Sequence, residues 1–156
     1  MERFSKKAGQ ALTSAQKCAS SLGHTYIGSE HLLLGILLQP DSVGGRILIS
    51  RGITFEKVKV RLCELVGSSA ATTLSASDMT SRTRKIIEQS MVFARRYGFS
   101  AIGTEHILLA IAHESQSVAM QILTYLGTDS KTLRDTITEK LGLYEIPTAN
   151  QKSQKS

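Results

Sequence analysis

The sequence repeats itself, and this duplication limits the possible folds more than any other feature. Residues 24–34 are similar to residues 99–109, with Gly28 and Gly103 as equivalent positions 75 residues apart. The same ungapped offset relates Val43 to Val118, Ile47 to Ile122, Gly52 to Gly127 and Gly67 to Gly142. Apolar residues and glycines dominate these shared positions, as expected for a duplicated structural unit. The chain is therefore predicted to contain two copies of one unit.

Each copy is predicted to contain four helices. The first helix opens after an N-cap residue, Ser5 in one copy and Thr80 in the other, and carries apolar residues at helical spacing. The remaining helices are expected over about 29–38, 42–51 and 54–67, and over about 104–113, 117–126 and 129–142. No segment shows the alternating pattern of a strand. The predicted fold is all-α, with two tandem four-helix repeats related by a pseudo-two-fold axis.

The domain organisation follows from the same offset. The first repeat is predicted at 3–68 and the second at 78–143. Residues 69–77 are small, polar and without periodicity, which is typical of a linker. Residues 144–156 are rich in Lys, Ser and Gln and are expected to form a disordered tail or a further linker.

Composition places the chain among globular proteins. Hydrophobic residues make up 41% of it, enough for a core, yet no apolar run approaches the roughly 20 residues that a membrane span needs. The N-terminus lacks the pattern of a secretory signal. Cys18 and Cys63 are isolated, which favours free, buried thiols in a reducing compartment over a disulfide or a metal site. We expect a cytosolic or organellar protein.

The net charge of +6 raises the possibility of nucleic-acid binding. However, the basic residues are scattered along the chain rather than grouped, and the sequence contains no Trp. A basic surface that favours acidic protein partners explains this distribution at least as well. Nucleic-acid binding remains an alternative, but the less favoured one.

No motif in the chain predicts catalysis, a metal or a cofactor. A phosphate-binding loop of the G-x-x-x-x-G-K-[ST] type is absent, and Glu30-His31 and Glu105-His106 lack the second His of a zinc H-E-x-x-H site. Both His rings are expected to lie in the core, bonded to a backbone carbonyl. The two Glu residues begin helices, where a carboxylate is favourable in itself. Either carboxylate could also lie at a groove rim and pair with a guanidinium group.

The repeated Ile-Gly-Ser/Thr-Glu-His motif, around Glu30 and Glu105, resembles the Clp N-terminal repeat domain of AAA+ unfoldases. The opening Arg3-Phe4-Ser5-Lys6-Lys7-Ala8 is most similar to the ClpC branch. The resemblance covers residues 3 to about 143. It implies a domain that captures substrate and adaptor proteins and delivers them to an ATPase ring in the cytoplasm or the plastid stroma.

The resemblance also implies one pocket for phosphorylated arginine in each repeat. In such a pocket the motif Glu pairs with the guanidinium group and the start of the first helix holds the phosphate. Carried over to this chain, it predicts a site of Glu30 with Ser5 and a site of Glu105 with Thr80. Free amides at a helix start suit a phosphate, and a carboxylate suits a guanidinium.

Two interpretations of the chain as an interaction module stay open. It could be the amino-terminal recognition domain of a ClpC-type unfoldase, or a free-standing accessory protein of a Clp protease complex. In both cases the chain itself is not expected to be an enzyme.

Overall fold

The computed structural model describes residues 3–142, which form eight α-helices and one short 3-10 helix. The helices are α1 (Lys6–Ser21), α2 (Ser29–Leu37), α3 (Val43–Ser50), α4 (Phe55–Val66), α5 (Ser81–Arg96), α6 (Thr104–His113), α7 (Val118–Tyr125) and α8 (Ser130–Leu141). Within residues 3–142, β-pairing is limited to isolated bridges. The predicted all-α fold of two four-helix repeats is confirmed. Residue 143 and the predicted tail at 144–156 lie outside the described residues.

The helices begin where the sequence places their capping residues. The Ser5 hydroxyl accepts a hydrogen bond from the Ala8 amide at 3.1 Å, and Thr80 accepts one from the Thr83 amide at 3.0 Å. Such side-chain caps satisfy amides that have no partner within the helix. Further caps of this kind begin α3, α4, α7 and α8, at Ser42, Thr54, Ser117 and Asp129.

The core is built around α2 and α6, the second helix of each repeat. All residues of α2 are buried, and so are all of α6 except His113. A helix that is apolar on every side must be surrounded by protein. The outer helices bury one face each. Their buried apolar residues pack with those of α2 and α6 in one core that both repeats share.

Reciprocal hydrogen bonds join the two repeats. The Thr104 hydroxyl accepts from the Gly44 amide at 2.8 Å, and the equivalent Ser29 hydroxyl accepts from the Ala119 amide at 3.0 Å. Each second helix therefore caps the third helix of the other repeat. This exchange is the contact pattern of the predicted pseudo-two-fold relation.

The segment between the repeats lies along the end of α1. The Ser69 amide donates to the Leu22 carbonyl and the Thr72 amide to the Ser20 carbonyl, both at 2.9 Å. The Gln16 side chain donates to the Leu74 carbonyl at 2.7 Å, and the 3-10 helix Ala76–Asp78 leads towards α5. The small polar residues of 69–77 thus supply backbone partners to α1.

Candidate functional site

The chain that leads into each repeat is attached to the other repeat. The Ser5 amide donates to the Ile102 carbonyl at 2.8 Å, and the Ile102 amide donates to the Arg3 carbonyl at 2.8 Å. The second repeat has the equivalent arrangement, since the Thr80 amide donates to the Ile27 carbonyl at 3.1 Å. The start of α1 therefore lies beside the motif of the second repeat, and the start of α5 beside the motif of the first.

This crossing creates two cavities with equivalent walls. The first, here called the Ser5–Glu105 pocket, has a volume of about 340 Å³ and is also lined by Lys7, Arg46 and Ala101. The second, the Glu30–Thr80 pocket, has a volume of about 380 Å³. Its further lining residues include Tyr26, Gly28, Ser29, Arg82 and Val118.

The pairing predicted from the sequence is wrong, although all four residues line pockets. Ser5 lies in a pocket with Glu105, not Glu30, and Thr80 lies with Glu30, not Glu105. The physical reason is the pair of inter-repeat bridges, Phe4 with Ile102 and Ile27 with Met79, which tie each helix start to the opposite motif.

The motif glycines make room for the two carboxylates. A Cβ atom on Gly28 would overlap a carboxylate oxygen of Glu30, and one on Gly103 would overlap Glu105 in the same way. The Glu side chains fold back over the glycines and are almost fully buried, with exposures of 2% for Glu30 and 7% for Glu105. A larger residue in place of either glycine would displace its carboxylate.

The motif histidines, His31 and His106, accept backbone hydrogen bonds at the starts of α2 and α6 from the core side. The Gly28 amide donates to His31 Nδ1 at 2.8 Å, and the Gly103 amide donates to His106 Nδ1 at 2.8 Å. Both rings are fully buried, as expected, but their backbone partner is an amide and not the predicted carbonyl. Each His is turned into the core, whereas its neighbouring Glu lines a pocket.

Glu105 is a buried carboxylate with little compensation for its charge. Burial raises its pKa, while a hydrogen bond from its own backbone amide and the charge of Arg46 act in the opposite direction. Within residues 3–142, no side chain donates a hydrogen bond to it. A cationic group that entered the pocket would offset this charge.

Cations flank both pockets, and the sequence analysis did not identify them. Lys7 lies 2.9 Å from Asp41, whose pKa this contact lowers. At the equivalent position Arg82 donates to the Gln116 carbonyl at 2.9 Å. The offset of 75 aligns Lys7 with Arg82 two residues after the N-caps, which is the signal that could have revealed them. An anion at either helix start would therefore meet a positive side chain that is also paired with a carboxylate, Asp41 beside Lys7 and Glu114 beside Arg82.

Other ligand classes have less support among residues 3–142. This part of the chain holds no cluster of His, Cys, Asp and Glu suited to a metal ion. None of its helices is long and apolar enough to span a membrane. Cys18 and Cys63 are both free and half-buried, and burial raises the pKa of Cys18.

Known proteins are similar to this chain in sequence. Residues 3–78 and 78–155 each match the Clp repeat (R) N-terminal domain. The Bacillus subtilis negative regulator of genetic competence ClpC/MecB is 36% identical over 92% of this chain, which covers 18% of that protein. The chloroplastic chaperone protein ClpC1 of Arabidopsis thaliana is 32% identical over 96% of this chain, which covers 16% of it. The chain thus spans less than a fifth of these relatives.

Solved structures agree with the fold. The N-terminal domain of the chaperone ClpD from Arabidopsis thaliana superposes with a TM-score of 0.74 at 24% identity, covering 89% of this chain and 97% of that one. A ClpV N-domain in complex with a VipB peptide gives a TM-score of 0.67 at 16% identity, covering 90% and 88%. With both repeats matched by the family profile, the chain belongs to the Clp repeat (R) N-terminal domain family.

Proposed function

We propose that this chain is a recognition domain that captures substrate and adaptor proteins for a Clp-type ATPase ring, and that each crossed pocket binds a phosphorylated arginine side chain. The observation that carries the proposal is a buried Glu facing a cavity beside a helix start, which occurs twice. Membership of the family supports the recognition role. The recognition role does not depend on whether the ring belongs to the same polypeptide or to a separate Clp complex in the cytoplasm or the plastid stroma.

The two ends of each pocket suit the two charges of the ligand. A carboxylate can accept two parallel hydrogen bonds from a guanidinium group. The free amides of a helix start, with the hydroxyl of Ser5 or Thr80, can donate to a phosphate. Lys7 and Arg82 add positive charge at the phosphate end of each pocket. Phosphoarginine carries both groups in one side chain, which explains why a carboxylate and an anion site lie together.

Titration of free phosphoarginine into the purified chain by calorimetry tests this assignment. We expect Glu30→Ala and Glu105→Ala each to weaken one site by about ten- to a hundred-fold, since a charge-assisted bidentate pair is lost. The crossed geometry makes a sharper prediction. Ser5→Gly, which keeps a tolerated capping residue, should weaken the site that Glu105→Ala weakens and leave the site of Glu30 unchanged.

The controls separate binding from folding. Thermal unfolding of each variant shows whether the domain remains folded. No binding by the wild type at millimolar ligand, or unchanged affinity in a folded Glu30→Ala/Glu105→Ala double variant, would reduce both carboxylates to helix-start charges. If Ser5→Gly acted on the same site as Glu30→Ala, the crossed assignment would be wrong.

A further inference from the structure

The two pockets are built from equivalent positions, yet some residues at these positions and beside them differ in chemistry. Tyr26 of the Glu30–Thr80 pocket is replaced by Ala101 in the Ser5–Glu105 pocket. Thr83, which follows Thr80 in the first turn of α5, corresponds to Ala8 in α1. The first difference adds a hydroxyl to the lining of the Glu30–Thr80 pocket, and the second adds a buried hydroxyl that contacts Thr80 from behind the lining.

The first extra hydroxyl, that of Tyr26, lies in the pocket beside the Glu30 carboxylate. Tyr26 lines the pocket beside Glu30, and burial, followed by the charge of Glu30 and a side-chain hydrogen bond to it, raises the pKa of Tyr26 to about 12. The ring stacks on His24 with a centroid distance of 5.8 Å and an interplanar angle of 4°, which fixes its direction. The Ser29 hydroxyl also approaches the Glu30 carboxylate, at 3.4 Å. A guanidinium group would have to compete with the Tyr26 hydroxyl for Glu30.

The second extra hydroxyl, that of Thr83, affects the phosphate end through its contact with Thr80. The Thr83 hydroxyl donates to the Ile27 carbonyl at 2.9 Å, and it lies 2.7 Å from the Thr80 hydroxyl. Because the single hydroxyl proton of Thr83 is directed at Ile27, Thr80 is the donor in the contact between the two threonines. The Thr80 proton is therefore already committed and is not free for a phosphate oxygen.

The Ser5–Glu105 pocket has neither obstacle. Ala101 has no hydroxyl, and within residues 3–142 no side chain donates to the Glu105 carboxylate. Ala8 has no side-chain acceptor for Ser5, and among residues 3–142 the Ser5 hydroxyl makes one hydrogen bond, in which it accepts from the Ala8 amide, so its proton remains available to a ligand. Arg46 lines this pocket, whereas its counterpart Gln121 is neutral and donates to the Gln116 carbonyl.

We propose that Tyr26 and Thr83 make the two sites unequal, so that the Ser5–Glu105 pocket binds a phosphorylated arginine first and the Glu30–Thr80 pocket binds a second one only after Tyr26 has released Glu30. The inference rests on the proposed function and adds an order to it. A chain with a single modified arginine would occupy the Ser5–Glu105 pocket. Only a chain with several would engage both and gain from bivalent binding.

The affinities can be separated pocket by pocket. In a Glu30→Gln background the calorimetric signal of phosphoarginine reports on the Ser5–Glu105 pocket, and in a Glu105→Gln background it reports on the other. Each intramolecular hydrogen bond that the ligand must replace reduces the net gain on binding, and a loss of 1.4 kcal/mol corresponds to tenfold in affinity. We expect the Glu30–Thr80 pocket to bind at least about tenfold more weakly.

Substitutions at the two inequivalent positions should move the affinities in opposite directions. Tyr26→Phe, which keeps the ring and removes only the hydroxyl, should strengthen the Glu30–Thr80 pocket several-fold, and Thr83→Ala should do the same. Ala101→Tyr should weaken the Ser5–Glu105 pocket. Thermal unfolding checks that each variant is folded, and Tyr26→Phe is conservative enough to serve if Ala101→Tyr does not fold.

The outcomes distinguish this inference from the proposed function. Two sites of equal affinity, or a Tyr26→Phe variant with an unchanged second site, would overturn the inference and leave phosphoarginine binding in place. Tighter binding at the Glu30–Thr80 pocket than at the other would also overturn it. An absence of phosphoarginine binding in the wild type would remove both.

Discussion

The helix pairs α1–α2 and α5–α6 occupy equivalent positions in the two repeats, but they are packed by different side chains. The buried face of α1 consists of four alanines, whereas that of α5 contains larger or polar residues. The four equivalent pairs are Ala8 and Thr83, Ala11 and Ile86, Ala15 and Ser90, and Ala19 and Ala94. In α2, a Cβ on Gly35 would collide with the Ala11 carbonyl, while α6 carries Ala110 at that position. The helices α1 and α2 therefore lie closer together than α5 and α6 do.

The buried histidines also have different neighbours in the two repeats. His31 Nε2 lies 2.8 Å from His24 Nδ1, and His24 Nε2 lies 3.0 Å from the Gly67 carbonyl. In the second repeat Phe99 replaces His24, and His106 Nε2 has no hydrogen-bond partner among residues 3–142. Duplication has thus kept the backbone path and the pattern of burial, while each repeat fills its interior in its own way.

The largest expected effect is a loss of stability at low pH, and it comes from a feature that both repeats share, a buried histidine. Burial, assisted by His24 in the first case, lowers the pKa of His31 to about 3, and burial lowers that of His106 to about 4. Below the usual pKa of about 6.5 the unfolded chain takes up protons that the folded chain does not, so stability falls as the pH falls. At about 1.4 kcal/mol per pH unit for each ring, acidification from pH 7 to 5 should cost about 2 kcal/mol per His, and so about 4 kcal/mol for the two rings together.

Urea unfolding at the two pH values measures this loss. His106→Gln is the matched control, since a Gln at this helix position can still accept from the backbone amide of the N-cap residue but does not titrate. The variant should retain about 2 kcal/mol more of its stability between pH 7 and 5 than the wild type does. His31→Gln should behave alike. If only one of the two variants reduced the pH dependence, the repeats would differ in their histidines more than their shared burial implies.

The second prediction tests the closer approach of α1 and α2. Gly35→Ala should destabilise the fold by about 3 kcal/mol or more, because the new methyl group meets the Ala11 backbone, which cannot move without shifting α1. The reciprocal Ala110→Gly in α6 should cost about 2 kcal/mol, because the loss of a buried methyl group adds to the ordinary difference in helix propensity. Chemical denaturation of both variants measures the difference. Equal losses would mean that the two helix pairs are equally close.

The sequence was sufficient for the fold but not for the arrangement of the pockets. The offset of 75, with capping residues such as Ser5 and Thr80, predicted eight helices whose ends agree closely with the structure. Local hydrogen bonding determines a helix start, so a linear pattern can predict it. Which start faces which Glu depends on the bridges from Phe4 to Ile102 and from Ile27 to Met79, and residue spacing carries no information about such long-range pairing.

The roles of the individual motif residues could not be predicted from the sequence pattern either. The repeated Gly-Ser/Thr-Glu-His pattern indicated a duplicated site, yet the need for Gly28 comes from the carboxylate of Glu30 folding back over it. The Tyr26 hydroxyl is relevant only because the fold places it in one pocket with Glu30. His24 has no counterpart in the second repeat, and it is this difference that gives His31 its partner.

The last and smallest effect concerns this histidine pair. Because His31 Nδ1 accepts from the Gly28 amide, its proton resides on Nε2 and is donated to His24 Nδ1, which leaves the His24 Nε2 proton for the Gly67 carbonyl. His24→Phe converts this site to the residue found in the second repeat and leaves a buried N–H without an acceptor. We expect a loss of about 1–3 kcal/mol.

The reciprocal Phe99→His completes the comparison. In the wild type the Phe99 and His106 rings meet edge to face at a centroid distance of 4.5 Å, so the second repeat already has an aromatic contact where the first has a hydrogen bond. A His at position 99 could accept the unpartnered His106 Nε2 proton, which offsets the lost ring contact, and stability should change by less than about 1 kcal/mol. Nitrogen-15 NMR of the imidazoles checks the premise, because the hydrogen bonds place the proton of His31 on Nε2. A different tautomer at His31, or equal losses in the two swaps, would show that the hydrogen-bonded chain adds nothing beyond ring packing.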